Sequence, residues 1–264
     1  MTILYFTATG NSLHIAKSVG GQLYSIPQMI KNETFEFKDD KIGLVFPIHS
    51  ISVPKYIKEF LEKVTLECNY LFAIMTYGIY SGSAATNLVE IGEKAGLKFN
   101  YINTIKMVDN WIPGFDMDKQ IQGEPKKQVP KQLELIKADI EESKNKIKEG
   151  NPVSKLITKK MVKANATPST KDSLMFNRSG AGIKNFMIVE NNCKKCGICI
   201  KVCPVNNITR KNKNVKIALG NNCINCFACT HNCPTNSIRI KGEKSRARFR
   251  NHDVELYEII ESNN

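Results

Sequence analysis

Long apolar segments are missing from this 264-residue chain. No run of about 18 or more apolar residues is present, so the sequence offers no transmembrane helix. The first residues lead directly into a turn motif at Thr7–Ser12, without the basic start and small-residue cleavage site of a signal peptide. We therefore expect a cytoplasmic protein with no membrane span.

Acidic residues are few relative to basic ones: 25 Asp and Glu against 38 Lys and Arg give a formal net charge of +13. Such a balance is compatible with nucleic-acid binding. The basic residues, however, are dispersed, without interleaved aromatic residues or a pattern typical of a helix that reads bases. We expect no nucleic-acid partner, and instead a solvated basic face or a docking surface for redox partner proteins with an acidic face.

Cysteine is nearly absent outside one short segment. Eight of the nine cysteines lie between residues 193 and 233, and only Cys68 lies elsewhere. In a cytoplasmic chain such crowding favours metal ligation over disulfides. Cys68, away from the motifs, is expected to be a small hydrophobic residue or a partly exposed thiol.

The eight crowded cysteines form two copies of one motif, C-x2-C-x2-C-x3-C-P, which are Cys193, Cys196, Cys199, Cys203 with Pro204 and, thirty residues later, Cys223, Cys226, Cys229, Cys233 with Pro234. The first three thiolates of such a motif hold three corners of a cubane cluster, and the fourth cysteine binds the other cluster. The sequence therefore predicts two [4Fe-4S] clusters, with ligand sets Cys193, Cys196, Cys199, Cys233 and Cys223, Cys226, Cys229, Cys203. Paired zinc sites are the alternative, but the cysteine grouping is not the usual one for zinc.

The N-terminal part alternates short apolar runs with amphipathic helical patterns, which predicts a parallel sheet covered by helices on both faces. Helical faces are expected after Pro54 and from Val129 through Ile147, the latter ending at Gly150–Pro152. The predicted strands are Thr2–Phe6, Leu23–Ile26, Lys41–Phe46, Leu71–Met75 and Tyr101–Val108. We expect domains at 1–150 and 187–240, a connector at 151–186, and a basic tail at 241–264 that ends in a docking helix.

A loop of hydroxyls and glycine follows the first predicted strand. Its backbone N–H groups, together with the start of the next helix, are suited to an anion such as phosphate. The loop lacks the lysine of a nucleoside triphosphate site and the G-x-G-x-x-G pattern of a dinucleotide site. An ordinary capped turn is the alternative. The loop residues are Thr7, Ala8, Thr9, Gly10, Asn11 and Ser12.

Two resemblances extend these predictions. The cysteine segment resembles the bacterial two-cluster ferredoxins, which implies a small pseudo-symmetric α+β fold. It departs from the internal repeat at Phe227, where the first copy has Gly197. The loop resembles the T-x-T-G-x-T phosphate loop of flavodoxins, with Ser12 in the last place, and residues 1 to about 150 are similar to the flavodoxin fold. That resemblance implies an α/β doubly wound parallel sheet of strand order 2-1-3-4-5 that binds FMN.

In flavodoxins the flavin ring lies between the loops after the third and fourth strands. The resemblance therefore implies isoalloxazine contacts from two groups of residues here. These are Pro47, Ile48, His49 and Ser50 in the first loop, and Thr76, Tyr77, Gly78, Tyr80 and Gly82 in the second. Tyr77 and Tyr80 are the candidates for stacking on the ring.

The whole chain resembles flavodoxin-ferredoxin fusion proteins of anaerobic bacteria. This implies an electron carrier that relays electrons between FMN and two [4Fe-4S] clusters, without catalytic residues of its own. One alternative is a flavin reductase that draws electrons through the clusters and reduces a quinone, a nitro compound or a similar acceptor. Another is a flavin-free α/β scaffold whose clusters sense oxygen or iron.

Overall fold

The computed structural model describes residues 1–148, 187–211, 216–219 and 222–264. The expected connector at 151–186, and the helix stop expected at Gly150–Pro152, lie outside the described residues. The chain forms two compact units. The described part of the first comprises 1–7, 11–108 and 124–148, and that of the second comprises 8–10, 109–123 and the described residues from 187 onward.

The first unit is built on a parallel sheet of six strands. These are β1 (Thr2–Tyr5), β2 (Gln22–Ser25), β4 (Lys41–Pro47), β6 (Tyr70–Tyr77), β7 (Tyr101–Lys106) and β8 (Lys146–Ile147). A separate parallel pair, which the sequence did not predict, joins β3 (Glu36–Lys38) to β5 (Thr65–Glu67). The strand order of the large sheet is β2-β1-β4-β6-β7-β8. Counted along the chain, its first five strands follow the predicted order 2-1-3-4-5, which confirms the flavodoxin-like doubly wound fold.

Burial on both faces explains why the central strands are almost continuously apolar. Every residue of β6 except Tyr77 is buried, and Phe46, Phe72 and Tyr101 are among the largest fully buried side chains. Ile57, Phe60 and Leu61 form the buried helical face predicted after Pro54. The helices of this unit are α1 (Asn11–Val19), α2 (Ile26–Lys31), α3 (Lys55–Leu61), α4 (Ala84–Lys94) and α6 (Val129–Glu141).

The helix from Val129 is shorter than predicted. It ends at Glu141, and Ser143 then takes a left-handed conformation with φ of 51°, which reverses the chain. Ile147, predicted on the helical face, instead pairs with Ile102 as the edge strand β8. The helical prediction for Ile147 was therefore wrong, because an apolar residue seven positions after Ile140 suits a returning strand as well as another helical turn.

The second unit contains two small antiparallel pairs and short helices. One pair joins β9 (Met187–Val189) to β12 (Ile238–Ile240), and the other joins β10 (Ile208–Lys211) to β11 (Lys216–Leu219). The helices are α5 (Met117–Gln122), α7 (Ile198–Lys201), α8 (Ala228–His231) and α9 (Leu256–Asn263). This arrangement confirms the small α+β domain predicted for the cysteine segment.

The basic tail ends in the predicted helix, α9. Its first turn is closed by a capping box in which the backbone N–H of Glu255 donates to Glu258 Oε2 at 2.8 Å. Val254 and Ile259 are buried, so the segment is packed rather than solvated. No helix in the described parts of the chain is long and apolar enough to cross a membrane.

The apolar face of α4 provides a test of how the first unit is stabilised. Leu88 on α4 is fully buried, whereas Leu135 on α6 is 65% exposed. We expect Leu88→Ala to lower the free energy of unfolding by about 2–5 kcal/mol, because it removes buried methyl groups and leaves a cavity. Leu135→Ala, the same change on a solvated helix face, should leave it unchanged within about 0.5 kcal/mol.

The measurement is denaturant unfolding of the full chain under anaerobic conditions, followed by far-ultraviolet circular dichroism. Equal losses in the two variants would contradict the packing described for α4.

Candidate functional site

The two cysteine motifs adopt the same local backbone conformation. Left-handed residues occur at equivalent places thirty residues apart, with Lys195 matching Asn225, Gly197 matching Phe227 and Asn206 matching Asn236. Gly197 begins α7 with φ of 82°, and Phe227 begins α8 with φ of 58°. A bulky residue rarely adopts this conformation, so the duplicated fold imposes it on Phe227.

Cysteines from both motifs line one cavity of the second unit. Cys203 of the first motif lies there with Cys223, Cys226 and Cys229 of the second. These four are one of the two predicted ligand sets. Apolar side chains that include Ile208 and Phe227 complete the lining.

Electrostatic neighbours group the thiols in the same way. Burial raises the pKa of Cys199 to about 11, and the nearby charges of Cys233, Cys193 and Cys196 add to the rise. These are the other three members of its predicted set. Burial likewise raises the pKa of Cys226, with further contributions from the three other cysteines of the cavity.

Backbone N–H groups point at the fourth cysteine of each motif. Asn207 N donates to Cys203 Sγ at 3.2 Å, and Ser237 N donates to Cys233 Sγ at 3.2 Å. Burial would raise the pKa of Cys233, but backbone N–H groups, including those of Ile238 and Thr235, outweigh it and lower that pKa. Such hydrogen bonds favour the thiolate, which is the form that binds iron.

The donor set fits iron-sulfur clusters. Thiolates are the ligands of such clusters, and each thiolate of a cubane binds a different iron atom. Among the described residues, no three His, Cys, Asp or Glu side chains converge on a point that would hold one metal ion. Four thiolates that each bind a separate iron do not need to converge in that way.

In the first unit, four predicted flavin-site residues come together at the carboxyl edge of the sheet. Ser12 Oγ lies 3.0 Å from Thr76 Oγ1, and both side chains are buried. Pro47 pairs with Thr76 in the sheet register, and Ile48 N donates to Thr76 O at 2.8 Å. Asn11 at the start of α1 uses its side-chain amide to reach Val108 O at 3.0 Å.

The loop after β4 has a strained backbone. His49 and Ser52 exchange backbone hydrogen bonds of 3.1 Å, and the two residues between them, Ser50 and Ile51, have φ values of 50° and 61°. A left-handed conformation is unusual for a β-branched residue such as Ile51. The His49 ring meets Phe6 edge-on at 6.3 Å between centroids. Strain of this kind is common at binding sites.

The loop after β6 is partly open to solvent. Tyr77 is half-buried, and burial raises its pKa. Gly78 is also half-buried, while Ile79 and Tyr80 are 49% and 37% exposed. Gly82 has φ of 59° just before α4. Tyr80 and Gly82 belong to the predicted isoalloxazine contacts only because they lie in this loop.

Within the second unit, the middle of the predicted phosphate loop is held by residues far away in the sequence. Ala8 O accepts from Asn232 Nδ2 at 3.2 Å, and Thr9 O accepts from Asn251 N at 2.8 Å. Thr9 Oγ1 accepts from Asn110 Nδ2 at 3.1 Å. These three asparagines were missed by sequence reasoning, because no motif spacing connects them to the loop.

Gly10 is the position in this loop that requires glycine. Its φ is 95°, and a Cβ there would come within 3.0 Å of the Cβ atoms of both Asn251 and Val254. Thr7, Ala8 and Thr9 are buried as well. The loop therefore has a fixed conformation, with Ala8 and Thr9 carbonyls directed at protein donors.

Comparison with known proteins gives one family match, in which residues 192–238 match the 4Fe-4S dicluster domain. With the thiol geometry above, the match decides the nature of this segment. Residues 192–238 form a 4Fe-4S dicluster domain.

No curated protein matches the chain. Among solved structures, the chain is similar to the Trp repressor binding protein from Bacillus subtilis, with 10% identity, 50% of this chain and 94% of that chain covered, and a TM-score of 0.33. A likeness this distant has no bearing on the function of the present chain. The dicluster domain and the flavodoxin-like sheet together support a role in electron transfer.

His49 gives the candidate flavin loop a measurable pH dependence. Burial lowers its pKa to about 4, whereas an unfolded histidine titrates near about 6.5. The unfolded state therefore binds a proton that the folded state does not, and stability is lost as the pH falls from about 6.5 towards 4. We expect His49→Gln to reduce the loss of unfolding free energy between pH 7 and pH 5 by about 2 kcal/mol.

The measurement is denaturant unfolding of the full chain at both pH values. His252→Gln is the matched control, because the His252 side chain is 72% exposed, and it should keep the wild-type pH dependence. An unaltered pH dependence in His49→Gln would show that His49 is not kept neutral by burial.

Proposed function

We propose that the protein is an electron-transfer flavo-iron-sulfur protein that relays electrons between FMN and two [4Fe-4S] clusters. The flavin supplies one- and two-electron chemistry and the clusters supply one-electron steps. The observation that carries the proposal is the cavity that Cys203, from the first motif, shares with Cys223, Cys226 and Cys229, from the second. Thiols from both halves of a duplication meet there, as the ligands of a two-cluster ferredoxin do.

The proposed ligand sets follow from this grouping. Cys203, Cys223, Cys226 and Cys229 would hold one cluster, and Cys193, Cys196, Cys199 and Cys233 would hold the other. Charge neighbours at Cys199 and Cys226 support both sets. Cys196 is exposed while Cys226 is buried, so the set that contains Cys196 is the better placed to exchange electrons with a partner protein.

The proposed FMN site is the carboxyl edge of the sheet next to β1. The chain leaves β1 towards β2 on one side and returns to β4 on the other, and ligands of open α/β sheets bind at such a reversal. The phosphate would meet the N-terminus of α1, where peptide N–H groups lack helical partners. Ser12 can accept from Thr76 and still donate its own hydroxyl hydrogen to the phosphate.

Partner proteins with an acidic face are the proposed electron donors and acceptors. Exposed basic side chains cluster in the tail near the dicluster domain, at Lys241, Lys244, Arg246 and Arg250. Opposite charge on a partner would increase the rate of encounter. We also propose that the protein works in the cytoplasm.

Exposed Ile79 and Tyr80 favour a second candidate, in which a small acceptor such as a quinone or nitro compound reaches the flavin directly. Sustained turnover of such an acceptor by protein loaded with iron and FMN would support this reductase, and its absence would support the carrier.

Iron content tests the clusters and their ligand sets together. Anaerobically purified protein should contain about eight irons and eight acid-labile sulfides per chain. Cys203→Ala combined with Cys226→Ala should retain about four irons, because both changes fall in one set. Cys203→Ala combined with Cys196→Ala should lose both clusters.

Cys68→Ala is the control and should keep the full iron content. If the two double variants exchanged results, each motif would hold its own cluster and the proposed sets would be incorrect. Zinc in place of iron in the purified protein would overturn the proposed function itself.

Ser12 tests the flavin site. We expect Ser12→Ala to weaken FMN binding by about 10- to 100-fold, because a hydrogen bond to a charged group contributes about 1.5–3 kcal/mol. Riboflavin, which has no phosphate, should bind the variant and the wild type equally. The measurement is titration of flavin-free protein, followed by quenching of flavin fluorescence.

Ser18→Ala is the matched control, because Ser18 lies on the same helix and its hydroxyl donates to His14 O. It should bind FMN as the wild type does. Equal FMN affinities for Ser12→Ala and wild type would argue against a phosphate at this loop, and no flavin binding by the wild type would leave the flavin-free scaffold as the better interpretation.

A further inference from the structure

A buried cluster of charges lies in the dicluster unit beside β12. Glu243 forms ion pairs with two arginines, Arg239 and Arg248. The side chains of Glu243 and Arg248 are only 5% and 7% exposed. Two guanidinium groups share one carboxylate, so this buried charge cluster, defined as Arg239, Glu243 and Arg248, has a net charge of +1.

An unbalanced charge away from water is costly unless an anion lies nearby. Arg248 Nη2 donates to Glu243 Oε2 at 3.1 Å and to Ile238 O at 3.3 Å. Its Nη1 donates to Ala247 O at 2.9 Å. Its Nε is buried and has no hydrogen-bond partner among the described residues. The guanidinium is therefore firmly held, with one donor left over.

Cys233, a thiolate when it binds iron, is one candidate anion, and Glu190, which pairs with Arg246, is another. Arg248 and Cys233 line the same open cavity of about 380 Å³. In the proposed ligand sets, Cys233 belongs with Cys193, Cys196 and Cys199. The net positive charge of the charge cluster thus lies at a cavity that a member of this ligand set also lines.

The internal repeat does not reproduce this charge cluster in its other half. Only Arg239 lies within the repeat, where Thr209 occupies the equivalent position, and Glu243 and Arg248 belong to the tail that follows it.

Other features of the two halves show where the symmetry holds and where it fails. The backbone hydrogen bonds to Cys203 and Cys233 are equivalent, both at 3.2 Å. Arg248, which shares a cavity with Cys233, belongs to the tail that follows the repeat, so the charge cluster breaks the symmetry of the two sites. Phe227 also breaks the symmetry of the two sites, because it adds an apolar ring to the cavity of the Cys203 set.

We propose that Arg248, held in place by Glu243, makes the cluster bound by the Cys233 set the easier of the two to reduce. The inference rests on the proposed function, because it assumes clusters at both sets. Reduction adds one electron and so one negative charge to a cluster. A fixed positive charge nearby stabilises that added charge and favours the electron on this cluster.

The test is a redox titration of the full chain with dithionite, followed by electron paramagnetic resonance. In Arg248→Met we expect the equilibrium constant for placing the electron on the Cys233-set cluster to fall about tenfold, which is about 59 mV for one electron. In Glu243→Gln we expect a rise of similar size, since the buried carboxylate no longer offsets the arginines. Cys203→Ala and Cys233→Ala, each lacking one cluster, assign the two midpoints.

Arg246→Met is the matched control, because Arg246 is 72% exposed and water screens its charge. It should change the equilibrium constant for placing the electron on the Cys233-set cluster by less than about threefold. A purely structural role for the charge cluster would not move the potential in opposite directions in Arg248→Met and Glu243→Gln.

Unchanged midpoints in both variants, or shifts of the same sign, would overturn the proposal. If Arg248→Met fails to bind iron, the sign of the shift in Glu243→Gln decides. Wild-type protein without iron would instead count against the proposed function, so the two failures are distinguishable.

Discussion

The meeting of thiols from the two halves of the duplication is the constraint on which the dicluster unit depends. Cys203 of the first motif lies with three thiols of the second motif, so each half of the duplication contributes to the same cavity. The backbone N–H groups that donate to Cys203 and Cys233, the left-handed residues and the short helices α7 and α8 together position these sulfurs. Burial raises the pKa of Cys199 and Cys226 and so opposes formation of the thiolates that bind iron. Iron binding and the final packing of this unit are therefore expected to be coupled.

The duplication also explains why some strain is tolerated. Phe227 occupies a conformation that Gly197 takes without cost in the first copy. Its ring packs against Ile240 and is joined by Trp111 and Met187. Burying an aromatic ring against such neighbours offsets the cost of a left-handed backbone. Phenylalanine in place of glycine thus costs backbone freedom at this position but adds an apolar wall to the cavity of the Cys203 set.

Much of the fold was predictable because its signals are local. Apolar runs such as Leu71–Met75 identify buried parallel strands, and the cysteine spacing identifies the cluster loops. Ile147 was misplaced because a period of three to four residues cannot distinguish another helical turn from a strand that returns after a left-handed Ser143. The hydrogen bonds from Asn110, Asn232 and Asn251 had no local signal at all, because they depend on tertiary packing across more than 100 residues of sequence.

The asparagine contacts connect residues 8–10 to α8 within the second unit. Asn232 directly precedes Cys233, and its side chain donates both to Ala228 O on α8 and to Ala8 O in the glycine loop. The neighbouring His231 is fixed in the same way, since its Nε2 lies 2.8 Å from Asn110 O and its Nδ1 accepts from Phe249 N at 3.1 Å. Two consecutive side chains therefore connect the end of α8 to the segments that contain Thr9 and Asn110. Any rearrangement of residues 8–10 would have to alter these buried hydrogen bonds, one residue away from a proposed iron ligand. Because buried polar groups are costly to leave unpaired, these hydrogen bonds stabilise one arrangement of residues 8–10, Asn110 and the end of α8.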